Sequence, residues 1–326
     1  MKPKLEDVAK LANVSPTTVS RVINNHEHLS QKTKDKVYSA MKELNYQPNN
    51  LARSLQGKNT KLIGVIFSDI KNPFFGELVS RIEKILSTKD YKMILCNSAD
   101  DPEKERAYLW MLMANQVDGI IAGAHNLGIE EYQQSGLPIL SFDRYLSDNI
   151  PIVSSDNYQG GTLAAQALYQ AGARKIAIFS GKNHQDSPTN GRLLGYQAYL
   201  QKQGLPTHIH ELPFELSPNM KSMEIKAILN KIDYDGIFCT DDLTATMTIN
   251  LVRKLGKQVP QDLKVVGYDG TGLIQDYFPD LTTIGQPLAD ISSLLVSLLL
   301  QRIEDPDCTL EKEYILPVKL IKGITA

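Results

Sequence analysis

The sequence predicts a small all-α head at the N-terminus, followed by a large α/β region that folds as two lobes. Two observations lead to this fold class. Up to about Gln47, apolar residues recur at the spacing of amphipathic helices, and from about Lys61 onwards short apolar runs alternate with helical stretches. A chain of 326 residues suits two or three domains. We therefore expect residues 1–47 to form the head, residues 48–60 a linker and residues 61–326 the lobes.

Three short helices account for the pattern in the head. Apolar residues three and four positions apart mark the first and third helices: Leu5, Val8, Ala9 and Ala12, then Val37, Ala40, Met41 and Leu44. Between them, Ser15 and Pro16 are of the types that cap a helix and occupy its first position. Val19, Val22 and Ile23 give the middle helix an inward face. We predict that its other face, which is mostly polar, is exposed.

Alternating strands and helices predict parallel sheets that are covered by helices on both faces. The predicted strands are Leu62–Phe67, Met93–Asn97, Gly119–Ala122, Ile139–Phe142, Ile176–Ser180, Gly236–Thr240 and Val265–Tyr268. A weak internal repeat, DGII at 118–121 and DGIF at 235–238, favours two similar lobes. Because open α/β sheets bind ligands at the carboxyl ends of their strands, we expect a binding cleft between the lobes.

Charge divides the chain at the same place as the secondary structure. Up to Lys61 there are eleven Lys and Arg residues and five Asp and Glu residues, so this segment carries +6 and the remainder −8. A basic head on an acidic body is typical of a chain that meets phosphate at one end.

Several classes of function lack the motifs that they need. No GxGxxG, GxxxxGK or GxSxG stretch occurs in a suitable context, which argues against an enzyme. The three cysteines have no CxxC spacing, and His208 and His210 have no further ligands nearby, so we expect neither a metal nor a cofactor. The absence of an apolar signal region and of any run long enough to cross a bilayer predicts a cytoplasmic protein.

Residues 5–24, LEDVAKLANVSPTTVSRVIN, resemble the head-piece of the lactose/galactose repressor family of bacterial transcription regulators. The resemblance continues through YQPNNLARSL at 46–55 and covers essentially the whole chain, including VVGYD at 265–269 and TTIGQP at 282–287. It implies a helix-turn-helix head and a periplasmic-binding-protein-like sensor of two Rossmann-like lobes. It also implies a homodimer, since no heptad tail follows Val318. Within the family, the chain is most similar to sucrose-operon repressors of low-GC bacteria. Lys4 departs from the family, where a threonine often caps the first helix.

The resemblance assigns DNA contacts to the head and the linker. The second helix would enter the major groove, where Arg21 could fork onto guanine, while short polar groups and Lys32 would bond phosphates. Leu55 would be a wedge between base steps of the minor groove, unless it packs against the sensor. The predicted DNA-binding residues are Ser15, Pro16, Thr17, Thr18, Ser20, Arg21, Asn24, His28, Ser30, Asn49, Ala52 and Leu55.

The predicted sugar site lies in the cleft. Arg192 and Asp269 match the arginine and aspartate with which the family grips its ligand, and the alternative for both is a surface salt bridge. The remaining predicted ligand residues are Asn72, Phe74, Phe75, Asp143, Phe214 and Asp241. Helix capping or ordinary core packing is the alternative for all of these except Asn72.

The function that the sequence predicts is a repressor that a sugar or sugar phosphate releases from a pseudo-palindromic operator, in a sucrose or fructose utilisation operon. One alternative is a catabolite-control regulator whose DNA binding a phosphorylated carrier protein enhances. Another alternative is an enzyme of sugar metabolism with a borrowed fold, but this chain lacks the nucleotide-binding and nucleophile motifs that such an enzyme needs. A transport binding protein is excluded by the basic head and the absent signal region.

Overall fold

A computed structural model describes residues 3–23, 29–46, 59–99, 101–124, 126, 128–181, 187–213 and 216–326. The chain divides into two compact units after Thr60. The first unit is the helical head, and the second holds two α/β lobes.

The head contains three helices, α1 (Leu5–Ala12), α2 (Pro16–Ile23) and α3 (Gln31–Glu43). Their shared core is formed by residues that the helical spacing predicts: Val8, Ala9, Ala12, Val19, Val22, Val37 and Ala40. Ser15 caps α2 as predicted, since its Oγ accepts the Thr18 amide at 3.1 Å. The side chain of Lys4, the residue before α1, makes no capping hydrogen bond. Its backbone N–H instead donates to Asp7 Oδ2 at 2.8 Å.

The first lobe is built on a six-stranded parallel sheet with the order β11-β5-β4-β3-β1-β2. Its strands are β1 (Leu62–Phe67), β2 (Lys92–Asn97), β3 (Gly119–Gly123), β4 (Ile139–Phe142), β5 (Ile152–Ser155) and β11 (Glu313–Leu316). Its helices are α4 (Pro73–Thr88), α5 (Pro102–Ala114), α6 (Glu131–Gln134) and α12 (Leu288–Glu304). Alternate residues of β1 serve opposite faces, because Val65 packs with α4 and α12 while Ile66 packs with α5.

The second lobe has a similar sheet with the order β12-β10-β9-β8-β6-β7, in which only the β10–β12 pair is antiparallel among the described strands. Its strands are β6 (Ile176–Ser180), β7 (His208–Glu211), β8 (Gly236–Cys239), β9 (Lys264–Asp269), β10 (Thr282–Gly285) and β12 (Lys319–Ile321). Its helices are α7 (Asn157–Gln170), α8 (Gly191–Lys202), α9 (Pro218–Lys231), α10 (Asp242–Lys254) and α11 (Gly272–Tyr277), with a short 3-10 turn at Pro188–Asn190.

The internal repeat has a structural cause. The Asp118 carboxylate accepts the amide of Lys61 at 2.8 Å, and the Asp235 carboxylate accepts the amide of Lys175 at the same distance. In each lobe, an aspartate that precedes an inner strand therefore fixes the start of its neighbour. The two lobes use the same device at the same place in their sheets.

Three crossovers connect the lobes, between β5 and α7, between β10 and α12, and between β11 and β12. The strands next to these crossovers, β5, β10, β11 and β12, are short and were not predicted.

Cys96 and Cys239 are buried as the sequence predicts. Burial raises the pKa of the Cys96 thiol to about 11.

Two classes of feature are absent from the part of the chain that the structure describes. None of these helices has the length and apolar character needed to cross a membrane. No group of three or more His, Cys, Asp and Glu side chains among the same residues is placed to hold a metal ion.

Candidate functional site

Residues at the carboxyl ends of strands from both sheets meet around Arg192, at the place where the sequence predicts a binding cleft. This arginine is the second residue of α8, and its side chain is 11% exposed. Its Nη2 is 3.8 Å from Asp143 Oδ2, at the end of β4 in the first lobe. Its Nη1 is 4.0 Å from Asp269 Oδ1, at the end of β9 in the second lobe. Arg192 therefore stands between carboxylates of both lobes rather than on the surface.

Three further contacts fix the plane of the guanidinium. Arg192 Nε donates to Asn157 Oδ1 at 2.7 Å, and Nη1 donates to the carbonyl of Thr240 at 2.8 Å. The ring of Tyr268 lies beneath the guanidinium carbon at 3.8 Å. Since both carboxylates stand beyond direct hydrogen-bond distance of the arginine, hydroxyl groups of a ligand could bond to both partners.

Burial and charge act in opposite directions in this cluster. Burial raises the pKa of Asp143 and of Asp269, and the positive charge of Arg192 opposes the rise in both. Burial would lower the pKa of Arg192, but Tyr268 and the neighbouring carboxylates outweigh it, so the pKa is raised. The guanidinium thus stays charged at physiological pH.

Asn157, which the sequence did not single out as a site residue, ties the cluster together. Its Oδ1 accepts from Arg192 and, at 3.3 Å, from the hydroxyl of Tyr268. Its Nδ2 donates to Asp143 Oδ1 at 2.8 Å and to the carbonyl of Ser155 at 3.2 Å. Because these donors and acceptors allow only one orientation of the amide, Asn157 links the two lobes in a defined geometry.

Gln286, which the sequence analysis also did not name as a site residue, connects the crossovers to Asp269. Ser155, the last residue of β5, donates from Oγ to Gln286 Oε1 at 2.7 Å. Gln286 follows β10 and donates from Nε2 to Asp269 Oδ1 at 2.8 Å. Gln286 therefore connects two of the crossovers by hydrogen bonds to the carboxylate beside Arg192.

Glycines let α7 and α8 approach closely enough to place Asn157 and Arg192 side by side. A Cβ on Gly161 would lie 1.9 Å from the carbonyl oxygen of Arg192, and one on Gly195 would lie 2.0 Å from that of Tyr158. No side chain fits at such separations, so both positions require glycine.

Both aspartates of the cleft have unusual backbone angles. The φ angles are 52° at Asp143 and 113° at Asp269, and residues other than glycine rarely adopt positive φ angles. Near Asp269, Asp242 Oδ2 accepts the amide of Gly270 at 2.8 Å and supports the turn. Burial raises the pKa of this Asp242 carboxyl to about 7. Strain of this kind persists only where the surroundings impose it, and functional sites are common places for it.

Other predicted ligand residues have structural roles. Asp241 caps α10, where it accepts the Thr244 amide at 2.7 Å and the Thr244 hydroxyl at 2.6 Å. Asn72 caps α4 through the amide of Phe74 at 2.9 Å. Phe74 is 4% exposed and stacks on Phe142, which agrees with the alternative of core packing.

Phe75 and Phe214 complete the predicted ligand set. Phe75 is half-buried, with its ring centre 5.2 Å from that of Phe67. Phe214 lies outside the described residues.

In the head, the predicted DNA-binding residues of α2 lie on one side of the helix. Pro16, Thr17 and Arg21 are exposed, whereas Val19 and Val22 are buried against α1 and α3. Thr18 and Ser20 are half-buried, and Ser15 is exposed. Ser30 is exposed and caps α3 through the Thr33 amide at 3.2 Å. The predicted residues outside the described part of the chain are Asn24, His28, Asn49, Ala52 and Leu55.

Two family models match the chain. Residues 4–49 match the lacI family of bacterial regulatory proteins, and residues 165–325 match a periplasmic binding protein-like domain. A sucrose operon repressor of Pediococcus pentosaceus is 74% identical over 326 residues, which are the whole of both chains.

Two solved structures of regulators are similar to this chain. The lac repressor dimer bound to operator and the anti-inducer ONPF is 29% identical, with a TM-score of 0.83, over 100% of this chain and 99% of that one. A periplasmic binding protein/LacI transcriptional regulator from Alkaliphilus metalliredigens QYMF, complexed with D-xylulofuranose, is 34% identical with a TM-score of 0.74, over 81% of this chain and 98% of that one. The predicted fold class and the regulatory, non-enzymatic role are confirmed. This chain belongs to the lacI family of bacterial regulatory proteins.

Proposed function

We propose that this protein is a cytoplasmic repressor that binds a pseudo-palindromic operator as a homodimer and is released by a sugar or sugar phosphate. The observation that carries the proposal is the position of Arg192 between Asp143 and Asp269 of opposite lobes. A ligand that bonds all three holds the lobes in one arrangement and so shifts the equilibrium between arrangements.

The chemistry of the cleft suits a sugar. A carbohydrate offers many hydroxyl groups, which charged planar side chains bond in pairs, and the cleft supplies one guanidinium and two carboxylates. The full-length relative from Pediococcus pentosaceus is a sucrose operon repressor, which supports a sucrose or fructose utilisation operon as the target.

The exposed residues and the charge of the head support the proposed DNA contacts. The exposed side of α2 carries Pro16, Thr17 and Arg21, and the N-terminal segment to Lys61 is strongly basic. The lac repressor structure is a dimer on its operator, which supports a homodimer here. We assign DNA binding to residues 1–47, the linker to 48–60 and sugar sensing to 61–326.

A thermal-shift screen tests the sugar assignment. A ligand at 100 times its Kd stabilises the folded state by about 2.7 kcal/mol, which raises the melting temperature of a domain of this size by roughly 5 °C or more. We expect such a shift with one of sucrose, fructose or their phosphates, and at most about half of it with the same compound at the same concentration on an Arg192→Ala variant. No shift with any of these compounds would contradict an effector from sucrose or fructose metabolism.

A further inference from the structure

A hydrogen bond between α4 and α11 joins the two lobes outside their crossovers. Glu77, on α4 of the first lobe, accepts through Oε2 the backbone amide of Gly272, the first residue of α11 in the second lobe, at 2.8 Å. Helix α4 follows the carboxyl end of β1, and α11 follows that of β9. Both helices therefore begin at the edges that border the cleft.

The Glu77 carboxylate is held in place for this contact. Arg81, one turn further along α4, donates to Glu77 Oε1 from Nε at 2.9 Å and from Nη2 at 2.7 Å. The pair is partly exposed, with the Glu77 side chain at 21% and the Arg81 side chain at 44%. Arg81 thus occupies one oxygen and leaves the other directed at Gly272.

The position of the bond makes it sensitive to movement of the lobes. In the first sheet β1, which leads into α4, lies three strands away from β5 and its crossover, which is roughly 14 Å, whereas in the second sheet β9, which leads into α11, lies next to β10. A rotation about the crossovers moves the strands next to them little, and it moves α4, which follows the more distant β1, further. A rotation that separates α4 from α11 would therefore break the Glu77–Gly272 bond.

We propose that Glu77 and Gly272 form a latch across the cleft that holds the closed arrangement and controls the escape of the bound ligand. The inference rests on the proposed function in that the cleft is taken to hold a sugar. A charge-assisted hydrogen bond that is lost on opening slows opening by about tenfold or more.

Gly272 allows the donor to be removed with a matched control. It is the first helical position, where proline is well tolerated, and the preceding residue, Thr271, has φ −64° and ψ 158°, which a following proline permits. Gly272→Pro therefore deletes the amide donor. Gly272→Ala keeps it, since the nearest atom to the new Cβ is a Glu77 carboxylate oxygen at 3.5 Å.

The first measurement uses the full-length protein without sugar. Hydrogen–deuterium exchange should show the Gly272 amide exchanging about tenfold faster in Glu77→Ala than in the wild type, and unchanged in Glu77→Gln, which keeps an acceptor. Equal exchange in Glu77→Ala and the wild type would overturn the latch whether or not the protein binds sugar.

The second measurement is the dissociation rate of sucrose in stopped-flow experiments. We expect release about tenfold faster from Gly272→Pro than from Gly272→Ala, with Gly272→Ala equal to the wild type. Equal rates in the two variants would overturn control of ligand escape by the latch. If the wild type binds no sucrose, sucrose is not the effector, and the exchange experiment still decides the latch.

Discussion

Replacing Arg192 by alanine should weaken binding of the effector sugar by ten- to a hundredfold, while operator binding changes little. The guanidinium lies between Asp143 and Asp269 and is bonded to Asn157 and the Thr240 carbonyl. Removing one charged hydrogen-bond partner forfeits about 1.5–3 kcal/mol. The expected phenotype is a repressor that stays on its operator when the sugar is present.

Calorimetry with the sugar and fluorescence anisotropy with the operator separate the two effects. Arg253→Ala is the matched control, because Arg253 is an exposed arginine of the same lobe, on α10. Asp269→Asn should resemble Arg192→Ala. Sugar affinity at the wild-type level in either cleft variant would remove that residue from the site. Loss of operator binding in both would mean that the sugar is a corepressor.

Raising the salt concentration from 50 to 200 mM should weaken operator binding by about a thousandfold or more. Each phosphate contact releases counterions, and six contacts or more produce losses of this size. The segment up to Lys61 carries +6, whereas the remainder carries −8, so attraction to DNA must come from the head. A loss of less than about tenfold over this range would contradict a head that binds phosphate.

Arg21→Ala separates base reading from phosphate binding. Arg21 is exposed on α2, and a bidentate contact to guanine contributes about 1–3 kcal/mol of discrimination. We expect that loss on the operator and little change on random DNA, measured by competition at fixed salt. Equal losses on both duplexes would make Arg21 a phosphate contact.

The sequence predicted β1 to β4 of the first sheet and β6, β8 and β9 of the second because their apolar runs can be recognised locally. It did not predict β5 or β10, which are short and contain polar residues in the sequences IVSS and TTIG. These strands depend on tertiary pairing, β5 with β4 and β11 and β10 with β9 and β12. Asn157 and Gln286 were missed for the same reason, since each follows a strand that no local pattern marks.

Asp241 and Asp269 show that the same local sequence context can lead to different side-chain partners. Both lie at the carboxyl end of a strand and before a helix, the place where caps and ligand contacts are both found. In the structure Asp241 bonds to its own helix at Thr244, whereas Asp269 lies beside Arg192 and bonds to Gln286. The difference depends on residues far away in the chain.

The most direct test of the account is to titrate sucrose, fructose and their phosphates against the protein bound to a fluorescent duplex that it has selected from random DNA. The account predicts that one of these compounds lowers the anisotropy to that of free DNA, at concentrations that also raise the melting temperature. No release by any of them would contradict it, and tighter binding that needs a phosphorylated carrier protein would identify a catabolite-control regulator instead.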